Sequence, residues 1–528
     1  MAMNKATEMA KVSAKGGFHI LWGLVASTII SSIGTIVIAV LLGPANYGLY
    51  AVALTAPNLI AIFRDWGINT AIIKYSAKYN SENDVANIRS IFVSGLAFEV
   101  ILGLSLSLLA FVLSPFLAIT LHRPTITPLI QILSFSILTG GLVNAATAAF
   151  TGMETMHLNS VLLVIQSVVK TGVIVGLVLL GLGTLGAATG FTMAVLVAGI
   201  SGLILIWIMY KSLPKPTHSR LEIIATTKTM LNYGLPLSIG TIISGFLTMF
   251  YGYALAFYVT DNAIIGNYNV ALNFVVLITF FASPVTTMLF PAFSKLDFHK
   301  DKETLKIIFQ YSVKYASLVV VPVTALVMAL AQPAIGTIFQ NKYEQAPFFL
   351  ILLSVTYLYT ALGNLSAVNL LNGQGYTTYN LKLGVLTAAI GFPLGFVLIS
   401  NFGVNGLIVT ALVAALPSLV ISLRFIKTHF GVSVDWVSST KILLSSAVAA
   451  ILTYALISQL AFSNLTNLVI GVIVFVPVLI VAALLTRTIN KADVNNLREI
   501  IKSLGPLHRP LNFILNFLEK LMNILHSS

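Results

Sequence analysis

Fourteen apolar runs, each long enough to cross a bilayer, dominate this chain and leave it few alternatives. A helix needs about 20 apolar residues to span the hydrocarbon core. The runs fall near 20–42, 49–73, 91–113, 126–150, 158–180, 185–210, 230–259, 264–290, 312–331, 346–371, 381–399, 404–423, 442–462 and 465–485. Only 9% of the 528 residues are charged and 57% are apolar. A soluble domain carries about 25% charged residues. The chain is therefore read as an all-α polytopic membrane protein, which excludes soluble enzymes, nucleic-acid binders and disordered proteins. It has no cysteine, so disulfides and thiolate metal sites are excluded.

Charge orders the spans. With the N-terminus placed inside and the spans alternating, 26 of the 29 Lys and Arg residues fall in inner segments, counted with the inner parts of the spans that hold Arg64, Lys314 and Lys382. Arg123 and Lys342 fall outside and Lys170 lies within a span. This bias holds loops on the cytoplasmic side and accounts for the formal net charge of +13. Both termini are expected in the cytoplasm of a prokaryotic cell, with the protein in its cytoplasmic membrane. The first apolar run is too long for a cleaved signal and is read as a retained helix.

The chain repeats itself. Gly48-Leu-Tyr50-Ala-Val52-Ala53-Leu54 returns as Gly266-Asn-Tyr268-Asn-Val270-Ala271-Leu272, an offset of 218. Leu182-Gly183-Thr-Leu-Gly186 returns as Phe402-Gly403-Val-Asn-Gly406, an offset of 220. Gly152 and Asn159 match Gly373 and Asn380, and Pro128 matches Pro347, at nearly the same offset. Six spans separate the copies, so the halves share one orientation. The expected organisation is an N-lobe (1–210), a cytoplasmic linker (211–229), a C-lobe (230–423), two extra spans (424–486) and a cytoplasmic tail (487–528). Parallel repeats meet about an axis along the membrane normal, with a central cavity between them. In the tail, Leu511, Ile514, Leu515, Leu518, Leu521, Met522 and Leu525 keep helical spacing opposite Asn512, Asn516, Glu519, Lys520 and Asn523. An amphipathic helix on the inner membrane surface is expected.

These marks together resemble the multidrug/oligosaccharidyl-lipid/polysaccharide flippase superfamily, and within it the polysaccharide (O-antigen-type) repeat-unit flippases. The resemblance rests on Leu42-Gly43-Pro44-Ala-Asn-Tyr47-Gly48 after span 1 and Arg64-Asp65-Trp66-Gly67-Ile68-Asn-Thr-Ala71 in span 2. It also rests on Phe290-Pro291-Ala292-Phe-Ser294, Lys342-Tyr343-Glu344-Gln-Ala346 and Leu371-Asn372-Gly373-Gln-Gly375. It implies a MATE-like fold of two six-helix lobes and movement of a polyprenyl-(pyro)phosphate-linked glycan by alternating access. Membrane lipid and other polysaccharide-assembly proteins are the partners implied. No nucleic acid, metal or organic cofactor is expected, while proton or sodium coupling is. The alternative within the superfamily is a cation-coupled multidrug or metabolite antiporter.

Charges inside spans are costly and mark functional sites by default. Four stand in the first half: Arg64 and Asp65 in span 2, Glu99 in span 3 and Lys170 in span 5. Arg64 and Lys170 are the candidates for the substrate's pyrophosphate. Asp65 and Glu99 are the candidates for the coupling or counter-charge that resets the empty carrier. Two structural readings stand beside this one. Arg64 and Asp65 form a pair at the inner end of span 2, or Lys170 and Glu99 form a silent buried pair. Asn58, Asn144, Asn273 and Asn369 are expected to bond between helices, and Tyr251, Tyr253, Tyr258 and Tyr268 to form an interfacial belt. The outer loops are short and carry no catalytic, metal or nucleotide motif, so no enzyme is expected.

Overall fold

The computed structural model describes residues 2–214, 222–294, 296, 300–489, 493–495, 498, 512, 516 and 519. Among these there is no strand. The helices are α1 (Ala2–Ala61), α2 (Ile68–Ser81), α3 (Val85–Thr120), α4 (Thr127–Gly152), α5 (His157–Leu177), α6 (Gly183–Ser212) and α7 (Ile223–Tyr258). They continue as α8 (Asn262–Ser294), α9 (Lys302–Ala329), α10 (Ala331–Phe339), α11 (Ala346–Leu358), α12 (Asn364–Gly373), α13 (Thr377–Phe430), α14 (Trp436–Gln459) and α15 (Asn464–Leu485). Nine continuous helical segments among the described residues are long and apolar enough to cross a membrane, and the bent pair α11 and α12 makes ten.

Several of these segments hold two predicted spans, and glycine divides them. In α1 the helix is broken at Gly43 (φ 70°). In α13 the break is Gly403, with φ 56° and ψ −127°. Between α5 and α6 stands Gly183, with φ 49° and ψ −129°. That region of backbone space is open essentially to glycine alone. A Cβ at Gly406 would lie 1.9 Å from the Leu398 carbonyl oxygen, and one at Gly186 would lie 3.0 Å from Leu177. Eight or nine residues of straight helix would hold such positions about 12–14 Å apart, so the chain doubles back at both glycines. The repeated Gly-x-x-Gly motif is thus one turn built twice with the same dihedrals.

Two compact units partition the chain: Met1–Asn273 with Gly384–Ala414, and Phe274–Leu383 with Ala415–Ser528. In the first, Ile68 and Ile72 of α2, Ile88, Ile91 and Phe92 of α3, Ala145, Ala146, Ala148, Ala149 and Phe150 of α4, Leu162 of α5, Ile206 of α6 and Met230 of α7 form a buried core. Small residues let these backbones approach closely. The basic ends of the helices gather beside this core. Arg89 donates to the Tyr210 and Leu213 carbonyls, and the Lys74 ammonium sits 3.6 Å from the centre of the Tyr233 ring.

The same unit contains both copies of the Gly-x-Tyr turn, and they touch. A Cβ on Gly48 would fall 1.8 Å from the Asn262 carbonyl oxygen, and one on Gly266 would fall 2.1 Å from that of Pro44. Residues 44 and 262, like 48 and 266, are 218 apart. Each copy therefore presents to the other the surface it receives, the signature of a two-fold contact.

In the second unit, Phe293, Phe309, Val313, Leu370, Leu371, Ile426 and Phe430 form the main core. Span 10 is bent by 55° between α11 and α12, at Gly363 (φ 89°). Lys314, counted from sequence among the topology-setting loop charges, is instead buried on α9 with its Nζ 2.6 Å from Asp493 Oδ2. In the tail, Arg498 donates to Asn512, Asn516 and Glu519, so the polar face of the expected amphipathic helix meets a guanidinium. Its apolar positions, Leu511, Ile514, Leu515, Leu518, Leu521, Met522 and Leu525, lie outside the described residues, as do Lys215 and Arg220 of the linker and Lys295.

Candidate functional site

Span 2 is not one helix. The second limb of α1 ends at Ala61, a 3₁₀ turn follows over Ile62–Arg64, and Asp65 is extended. Gly67 then takes the left-handed conformation (φ 80°) and α2 begins at Ile68. The Asp65 carboxylate holds this break open by accepting the Gly67 N–H at 2.9 Å, an Asx turn. Glycine is required at 67 twice over. Its φ is positive, and a Cβ there would fall 2.1 Å from the Gly234 carbonyl oxygen of α7. A Cβ on Gly234 would in turn fall 2.4 Å from the Gly67 oxygen. The uncapped N-terminus of α2 adds the positive end of a helix dipole to the break.

The break delivers Arg64 into a slot between α3 and α4. Its Nη1 donates to the Ile137 carbonyl at 2.9 Å. Its Nε lies 3.9 Å from Glu99 Oε2. Glu99 is completely buried, and its Oε1 accepts from Asn69 Nδ2 of α2 at 2.9 Å. Gly140 and Gly141 of α4 carve this slot. A Cβ on Gly141 would lie 2.6 Å from Glu99 Oε2, and one on Gly140 would lie 2.8 Å from Arg64 Nη1. The pair is not saturated. Arg64 Nε, Glu99 Oε2 and the Asn69 amide oxygen are buried without a hydrogen-bond partner.

Depth follows from α4. Its 26 residues span about 39 Å, and Gly140 lies about 20 Å from either end. That is the middle of a hydrocarbon core about 30 Å thick. Irregular backbone at such a depth survives only where it is covered by protein or lines a polar cavity. The charge asymmetry matters too. Glu99 is sealed, while 13% of the Arg64 side chain is accessible, so the site offers a cation and hides the anion that balances it.

Three of the four sequence candidates thus meet here: Arg64, Asp65 and Glu99. Arg64 pairs with Glu99, while Asp65 is engaged by its own turn. Lys170 stands elsewhere on α5, its Nζ 3.4 Å from Ser31 Oγ of α1. Neither sequence-based pairing, Arg64 with Asp65 or Lys170 with Glu99, is the one formed. Asn69, Gly140 and Gly141 were not anticipated. A glycine pair in the middle of an apolar span was the available signal. Of the polar residues expected between helices, Asn273 donates to Tyr47 Oη at 2.8 Å, while Asn369 turns back to the Leu365 carbonyl of its own helix. Tyr253 bonds Thr120 and Tyr251 packs on Gly391 and Gly395, so these two rings are used within the protein.

Arg123, a lone loop cation in the sequence, is buried and fully committed. Its Nε donates to Asn262 Oδ1. Its Nη1 donates to the Leu121 and Ala256 carbonyls, and its Nη2 to those of Val259 and Thr260. All five N–H groups of a guanidinium are spent, and three of the acceptors close the C-terminal end of α7. Burial lowers its pKa from the ordinary arginine value.

Comparison with known proteins agrees with this architecture. A family model described as polysaccharide biosynthesis protein matches residues 13–297. An uncharacterized membrane protein of Methanocaldococcus jannaschii is 23% identical over 384 residues, covering 69% of this chain and 74% of that protein. Among solved structures, the lipid II flippase MurJ in an inward closed conformation superposes with a TM-score of 0.70 at 15% identity, covering 89% of this chain and 98% of MurJ. An inward-facing MATE-family multidrug resistance transporter of the MOP superfamily gives 0.60 at 16% identity, covering 76% of this chain and 94% of its own. A MOP superfamily transporter from Pyrococcus furiosus gives 0.54 at 16% identity, covering 80% and 96%.

Proposed function

From the premise that this chain belongs to the polysaccharide biosynthesis protein family, a multi-pass membrane family with a MurJ- and MATE-like fold, we propose that it is a flippase for a polyprenyl-(pyro)phosphate-linked glycan. The observation that carries this reading is the broken span at mid-membrane, with Arg64 partly accessible and Glu99 sealed behind it. A lipid-linked glycan has a polyprenyl tail that never needs to leave hydrocarbon. Its phosphates and sugars cannot enter hydrocarbon unaided. What the protein must supply is a polar, cationic station halfway across. Arg64 supplies a planar pair of donors suited to phosphate oxygens, and the N-terminus of α2 supplies a dipole of the same sign. Lys170, which stands apart beside Ser31 of α1, is a second cation for the phosphates at another point of their passage.

The reset follows from charge balance. When substrate phosphate takes Arg64, Glu99 loses the one cation that pairs with it among the described residues, at a depth where a bare carboxylate is costly. A proton or sodium ion taken up by Glu99, with Asp65 as the second acid of the site, restores neutrality. Its release when Arg64 swings back links the ion gradient to turnover. The protein works in the cytoplasmic membrane with both termini in the cytoplasm, beside other polysaccharide-assembly proteins.

The test is reconstitution in liposomes with a fluorescent polyprenyl diphosphate oligosaccharide. Wild-type protein is expected to scramble it between leaflets. Arg64→Gln is expected to lower the rate at least tenfold while inserting normally, and Lys170→Glu to do the same. Full activity in both variants would overturn the assignment. Gradient-driven uptake of an amphipathic cation without any glycolipid movement would favour the antiporter reading that the MATE likeness keeps open.

A further inference from the structure

The break in span 2 carries two aromatic residues that flank Arg64 and Asp65 in the chain, and nothing in the charge balance above uses them. Phe63 and Trp66 are 44% and 40% exposed, although the turn that carries them lies at mid-membrane. A turn at that depth does not face lipid, because its backbone groups would go unsatisfied in hydrocarbon. The rings are also held. The Trp66 indole N–H donates to the Phe63 carbonyl at 2.7 Å, which fixes the indole against its own turn. The Phe63 ring meets Phe246 of α7 at 6.3 Å between centroids, and Phe246 meets Phe392 of α13 at 5.7 Å. Asp65 stands on the same turn, between the two aromatic residues in the chain. One of its oxygens accepts the Gly67 N–H, and Oδ2 makes no bond to the described residues.

We infer that Phe63 and Trp66 form a stacking platform for the first sugar of the lipid-linked glycan, with Asp65 Oδ2 accepting a sugar hydroxyl; this rests on the flippase reading above. A pyranose has an apolar face of C–H groups and a rim of hydroxyls. The apolar face packs against an aromatic ring, whose negative π surface attracts the C–H dipoles. The rim needs an acceptor such as a carboxylate. Rigid aromatics with a few placed polar groups are what orient a small ligand in a pocket. Phe63 and Trp66 lie within two residues of Arg64 on the same turn, within reach of a sugar joined to the phosphate that Arg64 takes.

The experiment compares two lipids on purified protein in nanodiscs: a polyprenyl diphosphate carrying a disaccharide, and the same lipid without sugar. Phe63→Ala and Trp66→Ala are each expected to weaken binding of the disaccharide lipid about tenfold, the effect of losing roughly one stacked ring. Binding of the bare lipid should stay within about twofold, because Arg64 is untouched. Trp66→Phe, which keeps a ring but loses the indole bond, should retain most of the affinity. Equal losses for both lipids would show that the turn had collapsed and would overturn the platform, as would unchanged binding of the disaccharide lipid. Wild-type protein that binds neither lipid would overturn the flippase reading, and the platform with it.

Discussion

Replacing Glu99 by Gln should make the protein less stable and yet bind its substrate more tightly. The substitution keeps the shape of the side chain and its acceptor for Asn69, which bonds Oε1 at 2.9 Å, but removes the charge facing Arg64. Two unit charges 3.9 Å apart attract by about 4 kcal/mol at an effective dielectric near 20. In the wild type that attraction competes with any phosphate for the guanidinium. If half of it is recovered on binding, affinity for a polyprenyl diphosphate rises about thirtyfold. The folded protein without substrate loses the same attraction and keeps a buried cation with one carbonyl bond, from Nη1 to Ile137. Breaking a buried pair in this way costs about 3–5 kcal/mol. The assay is titration of a fluorescent polyprenyl diphosphate into nanodiscs, beside thermal unfolding of the same preparation. The two signs must be opposite. Binding that is weaker or unchanged in Glu99→Gln would show that Arg64 does not receive the phosphate and would refute the competition argument.

Two further substitutions test the structural readings. Arg123→Met should strip four carbonyls and an amide oxygen of their donor. A loss of about 3 kcal/mol is expected, read as a lower unfolding temperature and as faster hydrogen exchange at residues 256–262. Lys314→Met or Asp493→Leu alone should destabilise by about 3–5 kcal/mol, whereas the two together should recover most of it; additive losses in this double-mutant cycle would mean the two residues do not interact.

The parts of the fold that show in the sequence are those a single residue type enforces. Gly183 and Gly403 could be matched at an offset of 220 because only glycine tolerates their dihedrals. The break in span 2 was half visible, since Arg64 and Asp65 interrupt an apolar run, but its geometry depends on Gly67 lying against Gly234, 167 residues away. The partner of Glu99 could not be read at all. Lys170 was an equally placed partner in the sequence, and the choice of Arg64 is made by a slot in α4 that exists because residues 140 and 141 lack side chains. Lys314 looked like a loop charge because nothing local marks the return of Asp493. Arg123 looked idle because four of its five acceptors are backbone carbonyls, which any sequence would supply.

The reciprocal contact of Gly48 and Gly266 bears on where such a chain comes from. A protein half this length, carrying one copy of the turn, would make the identical contact with a second molecule of itself. Fusion of two such genes turns that dimer interface into an internal one and frees each half to drift. Drift stops where the copies still touch. Neither glycine can gain a side chain while the other backbone lies where its Cβ would be. The most legible remnant of the duplication is therefore its old seam, and ionic groups such as Arg64 and Glu99 could accumulate on one side of it alone.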